Sequence, residues 1–167
     1  MSDGVEWAVH CCTVLAVLPE GDALPAARLA EFHEVPPAYL AKHLQALTGA
    51  GITRSVPGPR GGFALARPPA AVSLLDIVLA VDGSQTAFRC TEIRQRGPAA
   101  SAAPGAYRRP CGIARAMWRA EDAWRRELAA TSVADVLTEL VATVAPEQLM
   151  AGTEWIQEVQ TRRRSRT

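Results

Sequence analysis

The sequence predicts a mainly α-helical fold with a small β wing, built as a winged helix-turn-helix domain followed by a long helix. Three observations predict it. Residues 25–51 read as a short helix, a tight turn and a second helix with a polar outer face. Residues 52–67 read as two short alternating strands around a Pro/Gly turn. From residue 111 onward, apolar residues recur at helical spacing.

Length and composition narrow the classes of protein to consider. The 167 residues suit one domain with an appended element. The net charge is only +1, so any affinity for nucleic acid must come from clustered charge. The sequence shows neither an apolar run of membrane-spanning length nor the order of a signal peptide. We therefore expect a cytoplasmic protein with no membrane partner, whose four cysteines favour metal or redox chemistry over structural disulfides.

The first predicted helix covers the apolar run Val5–Leu18 and ends before Pro19-Glu20-Gly21. Glu6 and His10 interrupt this run, and their spacing of four residues places them on one face of a helix. Polar groups on a largely buried helix need partners. The pair is therefore either a satisfied polar pair or a pair of metal ligands.

The helix-turn-helix is predicted from Pro25–His33 and from a third helix that begins at Pro36-Pro37 and ends at Gly49 and Gly51. In the third helix, every third or fourth residue is a leucine, which predicts a buried face. The opposite face is polar and suits the major groove of DNA. The residues expected to contact DNA from this helix are Pro37, Tyr39, Lys42, His43 and Gln45.

The predicted wing consists of Ile52–Val56, a turn at Pro57–Gly62, and Phe63–Arg67. Its glycines allow a close approach to a phosphate backbone, and a narrow minor groove attracts arginine. We therefore expect Arg54 and Arg60 to contact DNA. The alternative interpretation is an ordinary solvated hairpin.

The remaining segments complete the predicted organisation. Val72–Val81 reads as a fourth helix, and a long helix follows from Cys111. The apolar stripe of that helix is either intrachain core or, as we expect, a homodimer interface. A short helix capped by Ser132 and a weakly amphipathic helix over Pro146–Gln160 come next, and Arg162–Arg166 forms a basic tail.

These segments give four predicted parts. Residues 1–83 are the DNA-binding domain and 84–110 a cluster-binding loop. Residues 111–142 are dimerisation helices and 143–167 a C-terminal extension with the basic tail.

Two thiols and the pair on the first helix form a candidate metal site. Cys90 and Cys111 bracket the loop, and with Glu6 and His10 they make four ligands. Thiolates favour iron–sulfur clusters and zinc, and imidazole suits either. A single zinc ion is therefore the alternative cofactor to a cluster. A dithiol redox protein using the two cysteines is a further alternative, although they form no C-x-x-C motif.

From about residue 5 to about residue 137, the chain resembles the Rrf-two-type bacterial transcriptional regulators. The resemblance lies in YLAKHLQALTGAGITRSVPGPRGGFALARP and VSLLDIVLAVDG. Known iron–sulfur members carry three closely spaced cysteines in the following loop, whereas this chain has none between Cys90 and Cys111. The segments GVEWAVHCC, CTEIRQRG and CGIARAM instead resemble the RsrR-like subgroup.

That resemblance implies a 2Fe-2S cluster shared across a homodimer, with Cys90 and Cys111 from one subunit and Glu6 and His10 from the other. It implies a redox-sensing regulator of a double-stranded DNA operator rather than an enzyme. Trp7 lies beside the proposed ligands and is either a signal relay or a packing residue. The chain also departs from the family at three DNA-reading positions. Pro57 replaces the usual wing arginine, Arg60 replaces a glycine, and Ala41 replaces an acidic residue. The operator sequence therefore cannot be inherited from the family.

Overall fold

A computed structural model describes residues 1–58 and 61–164 and confirms the predicted fold class. Within those residues the chain is mainly helical with one antiparallel two-stranded sheet. The elements in chain order are α1 (Asp3–Ala16), α2 (Ala26–Phe32), α3 (Pro37–Gly49), β1 (Thr53–Val56), β2 (Gly62–Leu65), α4 (Leu74–Asp82), α5 (Gly112–Ala130), α6 (Val133–Thr143) and α7 (Pro146–Arg164). No helix in this part of the chain is long and apolar enough to cross a membrane.

The core lies where α1, α3 and α4 meet, with α2 packed against α3. The leucines of α3, Leu40, Leu44 and Leu47, have no exposed surface, as their helical spacing predicts. Truncating one such side chain to alanine typically costs about 2–5 kcal/mol. This core fixes the angle between α1 and the predicted recognition helix α3.

The wing is attached to the body through β2. Thr53 pairs with Leu65 and Val56 with Gly62, and Leu24 exchanges two backbone hydrogen bonds with Phe63 at 3.0 and 2.7 Å. Gly62 has a φ of 146°, and a Cβ there would lie 2.3 Å from the Leu24 backbone, so only glycine permits this approach. The predicted tip residue Arg60 lies outside the described residues.

The helices α4 and α6 begin side by side. Ser73 forms a capping box with Asp76, and Ser132 forms one with Asp135. The backbone N–H of Val133, a fully buried residue, donates to the carbonyl of Val72 at 2.9 Å. The long helix α5 therefore follows the 84–110 loop, packs against α4 and ends where α6 begins beside α4.

The C-terminal segment differs from the prediction. The helix does not end at Gln160 but continues to Arg164, so much of the basic stretch Arg162–Arg166 is helical; positions 165 and 166 lie outside the described residues. The physical reason is docking, because Gln160 and Arg163 hydrogen-bond main-chain carbonyls of the DNA-binding domain. Charge composition alone does not show such contacts.

Candidate functional site

The first half of the candidate site is the exposed face of α1. Glu6 and His10 are both exposed and line the same cavity, of about 460 Å³. The apolar part of its wall comes from α1, α4 and α5, namely Val5, Val9, Leu74, Val78 and Leu128. The two side chains are therefore accessible to a group or chain that enters from outside the subunit.

A second histidine lies behind this face. The rings of His10 and His33 are 5.4 Å apart, and the Thr13 hydroxyl donates to the His10 carbonyl at 2.8 Å. Burial, and then the neighbouring His10, lower the pKa of His33. His33 Nε2 is buried without a hydrogen-bond partner among the described residues. His33 therefore lies beside the candidate ligand His10 with the pKa of its imidazole lowered.

The second half of the site is the loop between α4 and α5. Cys90 is exposed, and Cys111 is half-buried at the N-cap of α5, where its Sγ accepts the backbone N–H of Ala114 at 3.3 Å. Hydrogen bonds to sulfur are one means by which a protein tunes a bound cluster. Cys111 is thus held by the start of the predicted dimerisation helix itself.

Arg94 organises this loop. Its guanidinium donates to the Glu92 carboxylate and, at 3.0 Å, to the Arg109 carbonyl, and it lies 5.4 Å from the centre of the Tyr107 ring. The Tyr107 hydroxyl donates to the Arg94 carbonyl at 2.9 Å and accepts the Ser101 N–H at 2.6 Å. We call Glu92, Arg94, Tyr107 and Arg109 the loop clamp.

The loop clamp places a positive charge beside the thiols. The pKa of Arg94 is raised, first by its hydrogen bond to Glu92 and further by the nearby Cys111 and Cys90. Both cysteines therefore lie within electrostatic reach of one guanidinium. Periodicity in the sequence does not indicate this role, although the arginine four residues after Cys90 is a visible signal.

The two halves do not meet within one chain. Over the described residues, no group of three or more His, Cys, Asp or Glu side chains could hold a metal ion. Cys11 and Cys12 are fully buried, and burial raises the pKa of each to about 12, so neither supplies a thiolate at neutral pH. Within the described residues of one chain, the four predicted ligands are therefore not gathered into a single site.

The candidate DNA interface lies on α3 and β1. Tyr39 is 65% exposed, and the other outward-facing predicted residues are also exposed, namely Pro37, Lys42, Gln45 and Arg54. His43 differs from them because it turns back toward α1. Its ring lies 6.0 Å from that of Trp7, and a Cβ on Gly4 would come within 2.3 Å of it. His43 therefore joins the ligand-bearing helix to the predicted recognition helix.

One face of α5 is open. Ile113 is 71% exposed, and Met117 and Trp124, on the same face, are 43% and 40% exposed. On the body-facing side, Arg125 pairs with the largely buried Glu121 at 3.0 Å and donates to the Gln85 carbonyl at 3.4 Å. The helix is thus anchored on one side and presents an apolar surface on another. Large exposed apolar surfaces of this kind mark interaction sites.

Comparisons with known proteins agree with this architecture. The helix-turn-helix transcriptional regulator named YffB, of Lactococcus lactis, is 32% identical over 139 residues, which cover 83% of this chain and 87% of YffB. The structure of CymR, the global cysteine regulator of B. subtilis, matches with a TM-score of 0.66 at 20% identity, over 83% of this chain and 96% of CymR. The structure of T. potens IscR matches with a TM-score of 0.64 at 20% identity, over 87% of this chain and 91% of IscR.

The two structural likenesses show the fold. The family follows from sequence, because the profile of the Rrf2 family, described as an iron-dependent transcriptional regulator, matches residues 1–139. The matched relatives are transcriptional regulators rather than enzymes. The chain is therefore a DNA-binding transcriptional regulator of the Rrf2 family.

Proposed function

We propose that this regulator is a homodimer that senses redox state through a 2Fe-2S cluster shared between subunits, and that it adjusts its affinity for a double-stranded DNA operator accordingly. The observation that carries the proposal is the division of the donor residues into two accessible halves. Glu6 and His10 lie on α1, and Cys90 and Cys111 lie on the loop before α5. The family description as iron-dependent supports a metal at this site.

The open face of α5 supports the dimer. In a two-fold interface the same patch meets itself, so an apolar stripe along one helix is self-complementary. Cys111 caps this helix, and Leu128 on it lines the cavity beside Glu6 and His10. A partner seated on α5 would thus approach both halves of the site. Such pairing would bring the loop of one subunit near α1 of the other.

The donor set fits a 2Fe-2S cluster, which would supply reversible one-electron transfer. An oxidised 2Fe-2S site with four thiolates has a charge of about −2. Replacing two of them by a neutral imidazole and a carboxylate changes this charge to about −1, which raises the reduction potential as histidine ligation does in Rieske centres. The Arg94 guanidinium would stabilise the additional negative charge of the reduced state. The site would therefore be easily reduced.

The contact between α1 and α3 supports coupling to DNA. Trp7 lies between the candidate ligands in sequence, and its ring meets His43 on the recognition helix at 6.0 Å. A change in the position of α1 would shift this contact. We infer that Trp7 and His43 form the relay, and that His43 acts through this contact in addition to any contact with DNA. The outer residues Tyr39, Lys42 and Arg54 would face the operator.

Zinc is the second candidate for the metal, because two thiolates, an imidazole and a carboxylate also form an acceptable tetrahedral zinc site.

The candidate mechanism without metal is a dithiol switch. It is supported by the shared proximity of Cys90 and Cys111 to Arg94 and by the fold shared with the cysteine regulator CymR. Zinc and dithiol forms are colourless, so a visible spectrum with iron and sulfide analysis separates both from the cluster.

Mixed dimers test the sharing of the site. One chain carries Glu6→Ala and His10→Ala, and the other carries Cys90→Ala and Cys111→Ala. If ligands come from both subunits, each single-type dimer lacks two ligands at both sites, whereas the mixed dimer regains one complete site. We expect differently tagged, co-expressed mixed dimers to hold about half the wild-type iron and sulfide, since one of two sites is intact.

The matched control is each double variant expressed alone, which should purify without a stable cluster. A mixed dimer that is as iron-poor as its parents would show that all four ligands come from one chain, or that these residues are not the ligands. Iron retained in the parents would contradict the ligand set itself.

A further inference from the structure

The C-terminal helix α7 lies wholly beyond residues 1–139, the part of the chain that matches the family. It nevertheless packs onto the DNA-binding domain. We propose that α7 is a latch that fixes the direction of the wing for operator binding, with Gln160 and Arg163 as positioning residues. This inference depends on the DNA-binding role of the family and not on the nature of the cofactor.

The apolar side of α7 anchors it beside the helix-turn-helix. Ile156 and Val159 are only 9% and 8% exposed and belong to the main core. The ring of Trp155 lies 5.1 Å from that of Phe32 at the end of α2, and Gly152 also lies against Phe32, where a Cβ would make an ordinary contact of 3.5 Å with the ring. The helix is therefore part of the folded domain rather than a free extension.

The polar end of α7 reaches the base of the wing. Gln160 Nε2 donates to the Ala23 carbonyl at 3.3 Å. The Arg163 guanidinium donates to the same carbonyl and to the Gly61 carbonyl, each at 2.5 Å. The Arg163 side chain is half-buried, and this burial lowers the pKa of its guanidinium. One arginine thus connects α7, the α1–α2 loop and the wing.

These bonds complete a ring of contacts around the wing. Leu24, next to Ala23, pairs with Phe63 of β2, and Gly61 precedes β2. The wing is a hairpin of two four-residue strands, and such a hairpin is marginally stable alone. Its direction relative to α3 thus depends on these bonds together with the hydrogen bonds of Thr53 to α3. A wing held in its binding direction loses less conformational entropy when it meets DNA.

The competing explanation is that Arg163 itself contacts a DNA phosphate. The salt dependence of DNA affinity distinguishes this explanation from the latch. Removing a phosphate contact lowers the slope of log affinity against log salt by about 0.9. Removing a positioning contact weakens specific binding and leaves that slope unchanged. Arg162 provides the matched control because it carries the same charge one position earlier and pairs with Glu158 on the exposed side of the helix.

The experiment uses full-length protein and a duplex selected by the wild-type protein from a random pool. We expect Arg163→Gln and Gln160→Ala each to lower affinity for that duplex by about tenfold, a size typical of coupling between sites, with an unchanged salt slope. Amide hydrogen exchange should accelerate in the wing strands and not in α3. Arg162→Gln should leave both the affinity and wing exchange at wild-type values.

Equal losses in Arg162→Gln and Arg163→Gln, each with a smaller salt slope, would overturn the latch in favour of phosphate contacts. Wild-type affinity in both Arg163→Gln and Gln160→Ala would overturn it as well. Exchange that accelerates throughout α3 would mean that α7 supports the whole domain rather than the wing, and this result would also count against the proposal.

Discussion

Cys90→Ala and Cys111→Ala proteins should each purify without a stable cluster and without its visible absorption. Each substitution removes a thiolate and leaves an open iron coordination position. Cys90 and Cys111 are the two cysteines that are not buried, so no other accessible thiol can replace the one that is removed. Iron and acid-labile sulfide analysis of anaerobically purified protein measures the loss.

Substitutions of the other candidate ligands and of the buried cysteines are controls with smaller expected effects. His10→Ala and Glu6→Ala should weaken the cluster or shift its spectrum and potential, because the thiolates remain. Cys11→Ala and Cys12→Ala should retain full iron, since these thiols are buried and protonated. Full retention of iron and sulfide in the Cys90→Ala protein would refute the ligand assignment.

Introducing charge on the open face of α5 should separate the subunits. We expect Met117→Glu with Trp124→Glu to give a monomer whose operator affinity falls by at least about 100-fold, because a monomer can occupy only one half-site at a time. Such a monomer should also lose the cluster, since it holds only half of the ligand set. Light scattering after size-exclusion chromatography and gel-shift titration measure the two effects.

Arg126→Glu is the control for this variant. Arg126 is on the same helix but points away from the apolar stripe, where its side chain is 73% exposed and pairs only loosely with Asp122 at 3.9 Å. The control should remain dimeric and bind the operator. A Met117→Glu, Trp124→Glu protein that stays dimeric would show that the subunits meet through another surface.

Local patterns in the sequence predicted much of the fold. The α3 leucines, the two wing strands and the Ser132 cap each depend on residues close in sequence. Their positions follow from helical or strand periodicity and from hydrogen bonds within one turn. For the same reason the shared face of Glu6 and His10 was predictable.

Contacts between distant segments were not predictable in this way. Arg163 and Gly61 are 102 residues apart, and the basic composition around Arg163 indicated a tail instead. His43 read as an outward-facing polar residue, but glycine at position 4 lets its ring fold back onto α1. The clamp between Arg94 and Tyr107 lies in a loop without periodicity. These features depend on tertiary contacts that periodicity does not encode.

Operator binding as a function of cofactor state tests the central claim most directly. Gel shifts of one selected duplex should be titrated anaerobically, at equal salt, with oxidised, reduced and cluster-free protein. We expect at least two of these states to differ in affinity by at least about tenfold, a coupling of about 1.4 kcal/mol, because the ligands connect α1 of one subunit to the loop of the other. Indistinguishable affinities in all three states would contradict redox sensing. The cluster would then have only a structural role.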